Sequence, residues 1–497
     1  MRSDGVPGDG VTSDGLPGDG VTSDGLASLA ERAERFYEVE AMPALEEYVR
    51  IPCLSPEFDS SWEETGHIDR AARHLESWAA GRDIAGLRVE VVKLPGLTPV
   101  VFVEAPPTAG FGGEANGPAT VIYGHLDKQP PLGEWRQGLD PFVPVREGDH
   151  LYGRGTADDG YSIFAALGAM ELSEAAGIGR GRCIAIIEAS EESGSPHLGP
   201  YLDLLAERLG PAGAGLVVCL DSGCLTYDRL WTTTSLRGIV VATIRVEVLS
   251  KGVHSGSAGG VVPSSFRILR RLLSRVEDEE TGEILIEELT GAVPPGRRRE
   301  IDQLVAALGD GAVTTFPVVE GLRLGGADLA QRVLARTWAP SLAFVGIDGV
   351  PPVREAGNVL RAFTEAKIAI RVPPSCDADR AARRLQEVLS DDPPEGARVT
   401  VHTSGAQGFD APPAAGWLDT ATSKASRAFF GAESASLGEG GSIPFLADLA
   451  GRFPRAQFLV TGVLGEGSNA HGPNEMLHLP TAKALTASIA SILSAVP

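Results

Sequence analysis

The chain has 497 residues, too many for one ordinary domain and suited to about two. Its 43% hydrophobic and 22% charged content excludes a disordered or fibrous chain, and its net charge of −23 argues against a nucleic-acid partner, which needs a basic face. No apolar run approaches the ~18–20 residues of a membrane helix, and no secretory signal opens the sequence, so a cytoplasmic protein with no membrane partner is expected.

Residues 1–25 repeat the unit SDGVPGDGVT, then SDGLPGDGVT, then SDGL, with too little apolar surface to order them. A disordered tail is expected there, with order beginning near Leu26 and a helical pattern running through Arg50. A helix follows at 67–81, strand-like apolar runs at 100–104 and 120–123, a helix at 161–176, and further runs at 183–188 and 216–220. Continuous apolar strands separated by helices predict an α/β fold with a mainly parallel sheet covered on both faces. Sites in such sheets form beyond the carboxyl ends of the strands.

The character changes near residue 233. Segments 240–249, 366–371 and 398–402 alternate apolar and polar side chains, the period of a half-exposed sheet, and 377–389 reads as an amphipathic helix. The stretch 290–335 gives no legible pattern. After about 405 the α/β character returns, ending in a helix at 481–496. The expected organisation is a discontinuous α/β domain, 26–232 and 405–497, with an α+β domain of 233–404 inserted in it. The five cysteines, Cys53, Cys183, Cys219, Cys224 and Cys376, form no CxxC pair and read as buried thiols in a reducing compartment.

Five polar clusters follow the apolar runs. In GHLDKQP (124–130), His125 and Asp127 are two apart and point to the same side of an extended chain. Imidazole and carboxylate suit zinc or manganese, although a solvated turn would read the same way. GRGTADDG (153–160) offers Asp158 and Asp159 in a glycine-rich loop, as a bridging carboxylate or a helix cap. EASEESGS (188–195) sets Glu191 beside Glu192, two like charges that need a cation or a proton between them unless water solvates both. One would ligate a metal, and the other would take a proton from water made acidic by it. Asp221 in LDSG (220–223) and His471 in GSNAHGPNE (467–475) complete the set. Each signal is modest. Jointly they offer two histidines and four carboxylates, with Asp127 counted among them, an inventory suited to two cations.

In this order the clusters, with the spacer WRQGLDPF at 135–142, resemble the co-catalytic metallopeptidases. That family includes carnosinase-type dipeptidases, glutamate carboxypeptidases, acetylornithine deacetylase and succinyl-diaminopimelate desuccinylase. The resemblance runs from about residue 30 to the C-terminus. It implies that the α/β domain is catalytic and the inserted one a lid and dimerisation domain, so a homodimer is expected. It implies two divalent cations, Zn2+ first, with Mn2+ or Co2+ as alternatives. His125 and Asp221 would bind one, Glu192 and His471 the other, and Asp158 would bridge them. Asp127 moves from candidate ligand to a support for His125. Glu191 becomes the general base and proton shuttle.

Three further matches concern substrate. KGVHSGSAGG (251–260) resembles the lid segment whose histidine reaches the partner's site, so His254 would stabilise the oxyanion. IAIRVPP (368–374) resembles the strand whose arginine grips a substrate carboxylate, here Arg371, and GEGGSIPFL (438–446) a loop that meets the same end through Ser442. Asn358 matches a lid position near the substrate. Departures exist. The family often reads Asp-Asp-Lys-Gly where this chain has Asp158-Asp159-Gly160-Tyr161. Carnosinase-type members place a histidine where it has Thr403-Ser404-Gly405, and His402 takes no role. Asn-Val-Leu-Arg replaces Asn-Val-Ile-Pro. These favour generic dipeptide hydrolysis over carnosine hydrolysis. The expected function is that of a dipeptidase acting on small peptides with a free carboxylate. The alternatives are an N-acyl amino acid deacylase and, more remotely, a catalytically silent dimeric binding protein.

Overall fold

The computed structural model describes residues 21–109, 111, 117–313, 316 and 318–497. Order begins earlier than the repeats suggest. Ser23–Phe36 is a helix, with the Thr22 hydroxyl accepting the Gly25 N–H as an N-cap. The expected tail therefore stops short of residue 25, and its residues 1–20 lie outside the described residues.

The continuous apolar runs build one six-stranded sheet, in the order Arg88–Val92, Val100–Ala105, Cys183–Glu188, Ala119–His125, Ala214–Cys219, Gln457–Val460. The last four pair in parallel. Val100–Ala105 runs antiparallel to both its neighbours; it is joined to Arg88–Val92 by residues 93–99, long enough for a hairpin but too short for a crossover. Ala119–His125 and Cys183–Glu188 are buried at every residue. Alternate side chains feed two cores. Ile122, Ala185, Ile187 and Val218 pack with Leu167 and Leu485 on one face. Val121, Tyr123, Ile184, Ile186 and Val217 pack with Leu205 and Leu449 on the other. Burial on both faces is why these strands read as unbroken apolar runs.

A second, antiparallel sheet orders Ser341–Asp348, Phe363–Val372, Gly238–Glu247 and Arg398–Ala406. Its helices Ser265–Leu273 and Ala378–Ser390 contribute Leu269, Leu272, Leu385 and Leu389 to the core beneath it. The alternating pattern of Gly238–Glu247 is its alternating burial. The stretch without legible pattern holds helices Pro295–Leu308 and Leu329–Thr337. Trp231–Leu236 joins a separate small sheet with Phe409–Asp410 and Ala435–Glu439. The chain thus leaves the six-stranded sheet after Cys219 and returns to it at Gln457. All five cysteines are free and buried. Among the described residues, no helix is long and apolar enough to cross a membrane.

Candidate active site

The parallel strands all end at one edge, and the polar clusters are carried there. His125 is the last residue of its strand. Glu191 and Glu192 form the short 3-10 turn Glu191–Ser193 just beyond Cys183–Glu188, and Asp221 lies two residues past Cys219. Asp158 sits in the turn before helix Ser162–Ala175. His471 occupies the loop after Gln457–Val460, in a left-handed backbone conformation with φ 62°. A histidine there costs backbone energy, so the surrounding loop must hold it.

Asp158 stands between the two imidazoles. Its Oδ1 lies 3.2 Å from His125 Nε2 and its Oδ2 3.1 Å from His471 Nε2. Asp221 Oδ1 is 3.9 Å from His125 Nε2, and Glu192 Oε2 is 3.2 Å from His471 Nε2. Two donor groups result, His125–Asp158–Glu192 and His125–Glu191–Asp221, with the donor atoms of each within 4.8 Å of one another. Distance alone would let Glu191 serve as ligand or as base.

The electrostatics suit cations. Burial pushes the carboxyls of Glu191, Glu192 and Asp221 above the usual range, and neighbouring carboxylates push the same way. Burial also opposes charge on His125 and His471, yet their hydrogen bonds to carboxylates win. His125 is raised well above its ordinary value and His471 to about 10. Four carboxylates crowd two imidazoles, and the excess of negative charge favours protons on imidazoles and carboxyls alike. Divalent cations would supply the balancing charge, and the oxygen and nitrogen donors fit Zn2+ or Mn2+.

Supporting contacts go beyond the sequence reading. Asp127 is fully buried, its backbone carbonyl 3.1 Å and its Oδ1 3.5 Å from His125 Nδ1. Its carboxylate also accepts the backbone N–H groups of Glu191 at 3.1 Å and Glu192 at 3.0 Å. One residue therefore braces both a histidine and the glutamate turn. Glu188, buried and pushed up to about 7 by that burial, accepts from Tyr123, Ser195 and Ser190. The Gln129 amide donates to Glu192 Oε2 at 2.7 Å. All three lie in or beside the motifs, but only the folded arrangement shows what they hold.

The remaining expected residues fall into two groups. Arg371 Nη1 donates to Ser442 Oγ at 2.8 Å, and that hydroxyl donates to the Arg237 carbonyl at 2.8 Å. His254 and Asn358 are exposed neighbours on a small ribbon, where Val253 and His254 pair with Leu360 and Val359 and Ser255 N–H reaches the Asn358 carbonyl. Among the described residues, neither side chain bonds to the cluster around Asp158.

Comparison with known proteins agrees with this architecture. A cysteinylglycine-S-conjugate dipeptidase from Corynebacterium striatum is 30% identical over 382 residues, covering 74% of this chain and 80% of that protein. A Cys-Gly metallodipeptidase from Saccharomyces cerevisiae is 26% identical over 386 residues, covering 74% and 77%. The solved structure of a di-peptidase from Saccharomyces cerevisiae shares the fold, with a TM-score of 0.73 at 21% identity over 96% of this chain and 99% of that one. The fold is thus an α/β catalytic domain with a second, antiparallel-sheet domain, and the dipeptidase reading is favoured over the deacylase one. The sequence model of peptidase family M20/M25/M40 matches residues 121–495, and the chain belongs to that family.

Proposed function

We propose that the chain is a dipeptidase whose site holds two divalent cations, one by His125 and Asp221, the other by Glu192 and His471, with Asp158 shared. The observation that carries the reading is the placement of Asp158, one oxygen toward each imidazole. When bound, the cations supply Lewis-acid polarisation of the scissile carbonyl and an acidified water. Glu191 removes the proton from the attacking water and returns it to the leaving amine. Its carboxylate makes no hydrogen bond or ion pair among the described residues, whereas Glu192 is engaged by Gln129 and His471. That contrast supports Glu191 as the mobile proton carrier and Glu192 as the ligand. Asp127 keeps His125 and the glutamate turn in register. Arg371 and Ser442 hold the substrate's carboxylate, a match for a guanidinium fork beside a hydroxyl. Zn2+ is the proposed metal.

The substrate class is a dipeptide or small peptide with a free carboxylate, and Cys-Gly is the first probe because the Saccharomyces cerevisiae relative is named for it and the Corynebacterium striatum relative for cysteinylglycine S-conjugates. A panel on the Zn2+-, Mn2+- or Co2+-loaded enzyme tests this. Dipeptides should exceed matched N-acetyl and N-succinyl amino acids by roughly tenfold or more in kcat/KM. The reverse order would move the chain to the deacylases. The five buried free thiols support a reducing, cytoplasmic setting.

The working unit is proposed to be a homodimer, with the antiparallel-sheet domain as lid and interface. Strand Ser341–Asp348 lies at the edge of that sheet and exposes Phe344, Val345 and Ile347, a surface that a second copy would cover. His254 would then act on the oxyanion of the neighbouring site and Asn358 beside it on the substrate. Mixed dimers test the exchange. His254→Ala and Glu191→Gln chains should each be nearly inactive alone, yet co-expressed they should recover about a quarter of the wild-type rate, because half the dimers hold one intact site. A mixture no more active than its parents would place His254 outside the partner's site.

A further inference from the structure

Two residues of the quoted motifs have no part in that chemistry, Arg154 of GRGTADDG and Glu475 of GSNAHGPNE. Both are buried, at 1% and 0% exposure. Glu475 Oε1 accepts the backbone N–H groups of Ala157 and Asp158, each at 3.1 Å. Its Oε2 accepts the N–H of Gly155 at 3.0 Å and Arg154 Nη1 at 2.7 Å. Arg154 Nη2 donates in turn to the carbonyls of Pro130 at 3.1 Å and Gly472 at 2.8 Å. One buried ion pair therefore ties together the three loops that carry His125, Asp158 and His471.

We propose that Glu475, with Arg154, is a positioning residue that sets the spacing of His125, Asp158 and His471 and thereby the affinity of the paired-cation site. The proposal rests on the two-cation reading above. A buried ion pair is weak as a stabiliser, since apolar packing in its place often does as well. What apolar packing lacks is direction. The two Glu475 oxygens meet four donors, three of them backbone amides within residues 155–158, so the peptide planes leading into Asp158 are fixed. The Asp158 carboxylate then falls between the two imidazoles. Arg154 grips the carbonyl of Gly472, the residue after His471, and so secures the left-handed turn that aims that histidine. Its hold on Pro130 anchors the loop that leaves His125. Partners of this kind, one layer behind the ligands, typically change metal affinity by about 10- to 100-fold when altered.

The test is a metal titration. Wild type and Glu475→Gln are stripped of metal and titrated with Zn2+ against a competing chelator, with bound metal counted per chain. Glutamine keeps the shape but turns an amide NH2 toward groups that are themselves donors. The expected result is an apo-protein with an unchanged circular-dichroism spectrum and Zn2+ affinity lowered by roughly tenfold or more. In the loaded enzyme kcat should fall while KM stays near the wild-type value. A folded Glu475→Gln that binds two Zn2+ with wild-type affinity overturns the proposal. Arg154→Lys, which keeps the charge but cannot reach Glu475, Pro130 and Gly472 together, should shift affinity in the same direction, and it decides the matter if Glu475→Gln does not fold. Failure of both variants to fold assigns the pair to folding alone and also overturns the proposal. A wild type that binds no paired Zn2+ would instead sink the two-cation reading itself, a separate and recognisable outcome.

Discussion

Glu191→Gln should lower kcat by about three orders of magnitude, inside the 10²- to 10⁴-fold range of general acid–base catalysis, while the protein keeps its fold and its cations. Glutamine matches the size of glutamate but cannot accept and return a proton. The turn that carries residue 191 is held by its backbone, through the Asp127 carboxylate, so the substitution leaves its position intact. The side chain itself bonds to nothing among the described residues, so no ion pair is broken by the change. KM should move little, because Arg371 and Ser442, not Glu191, are proposed to grip the substrate. The measurement is steady-state kinetics on Cys-Gly alongside metal content by elemental analysis. Wild-type turnover with full metal would remove Glu191 from the proton-transfer role. Loss of one cation together with turnover would make Glu191 a ligand, the assignment that distance alone leaves open.

The candidate donors were legible because a doubly covered sheet buries its strands on both faces. Cys183–Glu188 and Ala119–His125 therefore read as apolar runs that stop abruptly at polar residues, and those stops carry the residues that cluster around Asp158. Their supports were less legible. Asp127 lies two residues from His125, where spacing alone made it a candidate ligand and the family resemblance a support, but its bonds to Glu191 and Glu192 span more than sixty positions. The Arg154–Glu475 pair spans 321. No local periodicity records such contacts. The helix Ser23–Phe36 shows a different limit. Residues 23–26 spell SDGL, as do residues 13–16, so composition groups them with the repeats. What separates them is the amphipathic sequence that follows, which buries Leu29, Ala33 and Phe36 and carries the preceding turn into the helix. Helix Pro295–Leu308 escaped notice because only Ile301 and Leu304 of its residues are buried, too few to print a 3.6-residue pattern.

Stripping divalent cations with a chelator should abolish hydrolysis and lower the melting temperature, and adding Zn2+, Mn2+ or Co2+ should restore both. Without cations, Asp158, Glu191, Glu192 and Asp221 face one another across a few ångströms, their negative charge relieved only by protons, on His125 and His471 and on the carboxyls that are pushed upward. Burial keeps water from screening them, which is why three of the four carboxyls are pushed upward. Any ion that binds the folded chain and not the unfolded one adds RT ln(1 + [L]/Kd), about 2.7 kcal/mol for each site at a free concentration of a hundred times Kd. The stabilisation should therefore grow with the logarithm of free cation, measured by calorimetry at several Zn2+ concentrations. Glu191→Gln sharpens the reading. If Glu191 is a proton carrier, its loss leaves the thermal gain from Zn2+ near the wild-type value while turnover disappears. Asp158→Ala, which removes the carboxylate proposed to be shared, should forfeit most of the thermal gain as well, because nothing then stands between the two histidines to hold the cations as a pair. An enzyme fully active after exhaustive chelation, with a melting temperature indifferent to added Zn2+, would rule out cations as part of its chemistry.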